Sequence, residues 1–180
     1  LIIADSGIRR SLSSSSYNER RSDCETALRL LQTVFPAIQS LRDVTPNQLE
    51  NEKHLLPNMV YRHARYVVGE IARVQQALGC LESGDSQGFG HLMVETHQGL
   101  RDDYEVSLPE LDMLVEGALE LPGCLGARLT GAGFGGCTVN LVQEEEAKTF
   151  IQALKKYYKA MTGKKATIFA CHACEGARVL

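Results

Sequence analysis

The chain has 180 residues, 44% hydrophobic and 23% charged, enough for one substantial core or slightly more. A net charge of −3 without a basic block argues against nucleic acid binding, which needs a positive footprint. No apolar run approaches the ~20 residues that cross a bilayer and no signal-peptide pattern is present, so no membrane role is expected.

Leu1 to Ala4 is a short apolar run that suits a buried strand, and Arg9-Arg10 follow a turn at Gly7. Ser16 with Glu19 three residues on forms a capping box, which places Tyr17 in the first turn of a helix. Tyrosine there suits a half-buried core position. Arg20 and Arg21 stand near the same helix start, where positive charge opposes the macrodipole, so they need carboxylate or phosphate company. Pairing with Asp23 or Glu25 on a solvated face would supply it. The helix runs through Leu28 and Leu31 towards Phe35, and Pro36 interrupts it.

Thr45-Pro46-Asn47-Gln48 is a strong second start, with a threonine cap, proline at the first position and glutamine three on. After Pro57 comes the longest helix. Val60, Ala64, Val67, Ile71, Val74, Leu78 and Leu81 alternate by four and three, a continuous stripe expected to pack in a core, with a dimeric coiled coil as the alternative. Ser83-Gly84-Asp85 breaks it. The following helix carries Phe89, Leu92, Met93, Thr96 and Leu100 on one face. Of His91, Glu95 and His97 only the first two share a helical side, so no metal site is expected. His97 and Asp102-Asp103 read as turn-proximal polar groups without assigned chemistry.

Ser107 with Glu110 caps a further helix, with Leu111, Leu114, Val115 and Ala118 inward, and Pro122-Gly123 ends it. Glu144 to Met161 is the last helix, with Ala147, Phe150, Ile151, Leu154, Tyr158 and Met161 on one stripe and three acids at its favourable end. Gly163 ends it, and Ala166 to Cys171 forms a final strand. Helices followed by two strands, a helix and a strand suit an α+β layer, an antiparallel or mixed sheet with helices on one face. The six scattered cysteines fit reduced thiols in a cytoplasmic protein better than disulfides. Cys171 and Cys174 are a lone CxxC; zinc needs a second pair, so a buried strand end is expected there.

Gly126 to Val142 departs from ordinary helix and strand composition. Gly131, Ala132, Gly133, Phe134, Gly135 and Gly136 contain four glycines, flanked by β-type runs at Arg128 to Thr130 and Cys137 to Val142. Each glycine where alanine would serve forgoes about 1 kcal/mol, so four together need a geometric reason. Positive φ is one, and convergence of backbone N–H groups on an anion is another. A tight β-connection without a ligand is the alternative. No Lys-Ser/Thr follows the loop, so it is not a Walker A sequence. The GxGxxG formed by Gly131, Gly133 and Gly136 opens a strand rather than the helix of a dinucleotide fold.

The longer string Leu129-Thr130-Gly131-Ala132-Gly133-Phe134-Gly135-Gly136-Cys137-Thr138-Val139 resembles the third signature motif of the GHMP small-molecule kinases, in its galactokinase form. Ser13 to Glu25, SSSSYNERRSDCE, resembles a second segment of that family, and Arg62 to Arg73 and His97 to Asp112 resemble two more in the same order. Asp5-Ser6-Gly7 stands where the family usually has an Asn-rich triplet, and Ala132, Thr96 and Gly99 replace Gly, Ser and Ser. The two earlier galactokinase motifs, with the catalytic residues and the main phosphate loop, are absent. The chain also starts at Leu1 within an apolar run. The expectation is therefore a C-terminal portion, with 1–12 ending a missing N-terminal domain and 13–180 forming the C-terminal domain.

The resemblance implies a ferredoxin-like C-terminal domain, with an N-terminal strand that belongs to the missing domain and lacks partners here. It implies transfer of a phosphoryl group from ATP, with Mg2+, to the C1 hydroxyl of galactose. Tyr17 would contact the sugar and Gly131 to Gly136 would wall the cleft. No catalytic residue or metal ligand is assigned in this chain, which alone is expected to be inactive. A galactokinase-like sugar sensor and a kinase for N-acetylgalactosamine are the alternatives.

Overall fold

A computed structural model describes residues 1–9 and 15–176, with the side chains of residues 15 and 16 excluded. By contacts the chain divides into two units, Leu1–Arg10 with Ser107–Leu180, and Ser11–Val106.

The first unit is a four-stranded sheet under two helices. Strands β1 (Ile2–Asp5), β2 (Cys124–Thr130), β3 (Cys137–Val142) and β4 (Thr167–Ala170) lie in the order β2-β3-β1-β4. All neighbours are antiparallel. Side chains alternate across a strand, so Ile2 and Ala4 face the same side as their partners Asn140 and Thr138 on β3. Helices α5 (Pro109–Leu119) and α6 (Ala147–Thr162) cover that side. Leu114, Val115 and Ala118 of α5 and Phe150, Leu154 and Tyr158 of α6 form one core with Ile2, Ala4, Ala127 and Ile168. Within this unit the sequence β1-α5-β2-β3-α6-β4 is the ferredoxin-like alternation, and the α+β expectation holds.

One expectation about this sheet is corrected. β1 does not lack partners: Ile3 pairs with Val139 on one edge and Phe169 on the other. A split β-α-β unit leaves a gap between β3 and β4, and β1 fills it. The Asn140 side-chain amide, fully buried, donates to the Ile2 carbonyl at 2.9 Å and ties the same two strands.

The start of α5 also differs from the capping box expected of Ser107 and Glu110. Leu108 is the cap, without a side-chain bond, and Pro109 occupies the first turn. Ser107 instead donates to the Asp112 carboxylate at 2.5 Å, and Glu110 pairs with Lys164 at 2.8 Å. That ion pair holds the Glu110 carboxyl below its usual range. Along α6 the stripe packs as expected except at its last member, Met161, which is exposed where Gly163 caps the helix in the left-handed conformation. Cys171 and Cys174 follow β4 in irregular chain, half-buried and exposed respectively, so they are not a buried strand end.

The second unit is helical: α1 (Ser15–Leu31), α2 (Pro46–Asn51), α3 (Asn58–Ser83) and α4 (Ser86–Asp102). The Thr45–Gln48 capping box forms in both directions. Gly84 in the left-handed conformation ends α3, and the Asp85 carboxylate caps α4 by accepting from Gly88 N. The Ser16 box expected at the start of α1 lies outside the described side chains.

The α3 stripe is buried only in its first half. Val60 and Ala64 of the stripe join Ala27, Leu31, Leu41 and Leu49 in one core together with Val68, which the stripe did not include; Val67 and Ile71 are half-buried, and Val74, Leu78 and Leu81 are 51%, 49% and 62% exposed. α4 packs along this same part of the helix, where Thr96 donates to Glu70 and a Cβ on Gly88 would meet Cys80, but it leaves the face with Val74, Leu78 and Leu81 uncovered. On α4, Met93, Thr96 and Leu100 are buried as expected, while Phe89 and Leu92 are half-buried. His97 is corrected from turn-proximal to a buried residue in the body of α4.

Two glycines test this packing. A Cβ on Gly117 would fall 2.3 Å from the Tyr157 ring of α6, whereas one on Gly79 meets nothing within 4 Å. Gly117→Ala should lower unfolding free energy by about 1–3 kcal/mol through overpacking. Gly79→Ala should raise it by up to about 1 kcal/mol through helix propensity. Denaturant unfolding of each variant checks both signs.

Candidate active-site loop

β2 and β3 are joined by residues 131–136, and five of these six take positive φ: Gly131 86°, Gly133 76°, Phe134 59°, Gly135 128° and Gly136 83°. Four of the five are glycines, which enter this region without Cβ strain. The glycine run therefore answers a geometric need of the backbone. A second need is space. A Cβ on Gly135 would lie 2.7 Å from the Ile8 carbonyl oxygen.

The loop is docked on the residues that leave β1. Gly136 N donates to Ile8 O at 3.0 Å, and Ser6 N donates to Gly136 O at 3.0 Å. Asp5 accepts from Gly7 N at 2.9 Å and pairs with the Arg9 guanidinium at 3.0 Å. Ile8, Arg9, Thr130 and Cys137 line a depression of about 390 Å³ with Gly131–Gly133, Gly135 and Gly136. Arg9 is 77% exposed at this depression. Sequence reasoning missed its place, because the turn at Gly7 brings it beside residues more than 120 positions away. Burial pushes the Cys137 thiol above its ordinary pKa, helped by the nearby Asp5 charge, so this sulfur stays protonated near neutrality.

Tyr17 belongs to the helical unit, on the first turn of α1, and is 51% exposed rather than half-buried in a core. One turn on, Arg20 turns inward to 12% exposure. Its Nε donates to the Tyr104 carbonyl at 2.5 Å, and Nη2 donates to the Glu105 carbonyl at 3.2 Å. Glu105 holds φ of 53°, an uncommon conformation for a residue with a side chain. Arg62 pairs with its carboxylate at 2.8 Å. The partners expected for Arg20 are taken elsewhere: Glu25 pairs with Arg21 at 2.9 Å, and Asp23 meets His63 Nδ1 at 2.7 Å. Asp103 pairs with Arg65 at the end of α4. Burial pushes the Tyr104 phenol up to about 12. It is neutral at physiological pH.

Among the described residues, no group of three or more His, Cys, Asp or Glu could hold a metal ion. His91 and Glu95 stand 3.5 Å apart on α4 as an isolated pair. The lining of the loop depression contains no carboxylate, and Asp5 beside it is engaged with Gly7 and Arg9. The described residues at the loop therefore offer no Mg2+ ligand set, and no step is assigned to one here. No helix of the described residues is long and apolar enough to cross a membrane. All six cysteines are free thiols.

Known proteins resemble this chain in sequence and in fold. The family described as GHMP kinases C terminal matches residues 77–160. A galactokinase of Roseiflexus sp. (strain RS-1) is 49% identical over 98% of this chain and 45% of its own length. The galactokinase of Homo sapiens is 46% identical over 100% of this chain and 44% of its own. The chain thus spans under half the length of these relatives. Among solved structures, Lactococcus lactis galactokinase complexed with galactose superposes with a TM-score of 0.89 at 36% identity, over 93% of this chain and 43% of that one. L. major mevalonate kinase in complex with R-mevalonate shares the fold at a TM-score of 0.54 and 22% identity, over 86% of this chain and 37% of that one. Agreement of sequence along nearly the whole chain, and of fold in three dimensions, means that this chain belongs to the GHMP kinase family, among its galactokinases.

Proposed function

We propose that this chain is the C-terminal part of an enzyme that transfers the γ-phosphoryl group of ATP to the C1 hydroxyl of galactose. The observation that carries the reading is the left-handed glycine loop with Arg9 beside it, in a chain 49% identical to a galactokinase over nearly its whole length. In phosphoryl transfer the protein mainly positions the reactants and offsets developing charge. A loop without side chains lets backbone N–H groups approach the transferred phosphate, and the Arg9 guanidinium adds a cation at the same place. Tyr17 offers a sugar an apolar ring face and a polar tip.

The catalytic carboxylate and the main ATP and Mg2+ ligands are assigned to the part of the relatives that this chain does not span. The chain alone should accordingly be inactive. Galactose-dependent ATP consumption measured on these 180 residues should be at background, and turnover above background would contradict this division of labour.

Gly133 has φ of 76°, so a valine there is strained as well as obstructive. In the full-length protein, Gly133→Val should reduce kcat about 100- to 1,000-fold, the loss expected for one misplaced oxyanion donor. Circular dichroism should show a folded variant, and wild-type turnover would remove the loop from the site. Tyr17→Ala should raise the galactose KM about tenfold, the loss of roughly one good contact. An unchanged KM in steady-state kinetics would remove Tyr17 from the sugar site.

A further inference from the structure

We propose that Ser6 is the positioning residue of the glycine loop, holding Gly131 to Gly136 in the shape that receives the transferred phosphate; the inference rests on the phosphoryl-transfer reading above. Ser6 lies just past the end of β1 and is fully buried. Its hydroxyl donates to the Gly136 carbonyl at 2.8 Å and accepts from Ile8 N at 3.1 Å. Its own N–H donates to the same Gly136 carbonyl, and Gly136 N donates to Ile8 O. These four bonds close a cycle between two segments 130 positions apart.

The cycle has little slack. Ile8 O accepts from Gly136 N at 3.0 Å and lies where a Cβ on Gly135 would meet it at 2.7 Å. The position of Ile8 therefore sets that of Gly135 and Gly136, and the Ser6 hydroxyl holds Ile8 through its N–H. Behind Ser6 stands Tyr158 of α6, also fully buried, whose hydroxyl donates to the Ser6 carbonyl at 2.9 Å. The helix core thus reaches the loop through one small residue.

An alanine at position 6 keeps the backbone pairing but leaves Ile8 N without its acceptor and gives the Gly136 carbonyl one donor instead of two. A purely structural serine would lower stability and leave the folded enzyme's turnover intact. A positioning serine moves kcat. In the full-length protein, Ser6→Ala should lower kcat about tenfold while the galactose KM stays within about twofold, because misplacing a preorganised group weakens the transition state more than ground-state binding. Amide hydrogen exchange in residues 131–136 should accelerate relative to α5.

Wild-type kcat together with wild-type loop exchange in Ser6→Ala would overturn the proposal. If the wild-type protein does not phosphorylate galactose, the functional reading fails on its own. Loop exchange in the variant then still decides whether Ser6 holds the loop. Should Ser6→Ala fail to fold, Tyr158→Phe removes only the hydroxyl behind Ser6. It should show the same changes at smaller amplitude, and unchanged loop exchange and kcat in that variant would equally refute the proposal.

Discussion

The sheet unit depends on the insertion of β1 between β3 and β4. Four residues from the start of the chain pair along both edges with segments more than 130 positions later. Ile2 and Ala4 are 2% and 0% exposed and lie at the centre of the α5–α6 core. Without this strand, β3 and β4 would each present an open edge, which is an energetic and aggregation liability. The Ile2 carbonyl also receives the buried Asn140 amide. A buried amide donor without an acceptor is costly, so the polar residue in the core and the strand beside it are matched.

The same insertion positions the glycine loop. Because β1 ends at Asp5, residues 6–9 leave the sheet directly beside the β2–β3 connection. Backbone bonds at Ser6, Ile8 and Gly136 extend the pairing beyond the regular ladder. Five successive or near-successive positive φ values demand glycine or a compensated exception, and Phe134 is that exception. The outcome is a stretch of backbone with few side chains, with the exposed Arg9 at its side and the Asp5 carboxylate engaged by Gly7 and Arg9. Such a surface favours an anion.

In the helical unit a different constraint operates. Arg20 is nearly buried and donates to two consecutive carbonyls, which stabilises the left-handed Glu105 just after α4. Arg62 holds the Glu105 carboxylate from α3. Charge-assisted bonds of this kind are stronger than neutral ones, so an unusual backbone conformation is held by two cations. Val74, Leu78 and Leu81 show the reverse case, an apolar stripe that continues on a face left uncovered although α4 packs along the same part of the helix.

Local signals were legible from the residues themselves. Thr45-Pro46-Asn47-Gln48, Gly84, Gly163 and the β-type runs around the glycines each mark an element boundary through short-range sterics or capping, and each lies where the chain places it. The glycine loop and its string of family residues were also plain. Tertiary structure alone decided that β1 has two partners and that Arg9 lies at the loop. It also decided that Arg20 turns away from Asp23 and Glu25 and that half of the α3 stripe is uncovered. Periodicity and capping act within a few residues, so composition records them. Strand order, the partner of a long side chain and the helix face left uncovered depend on contacts between positions far apart, and those exist only once the chain has folded.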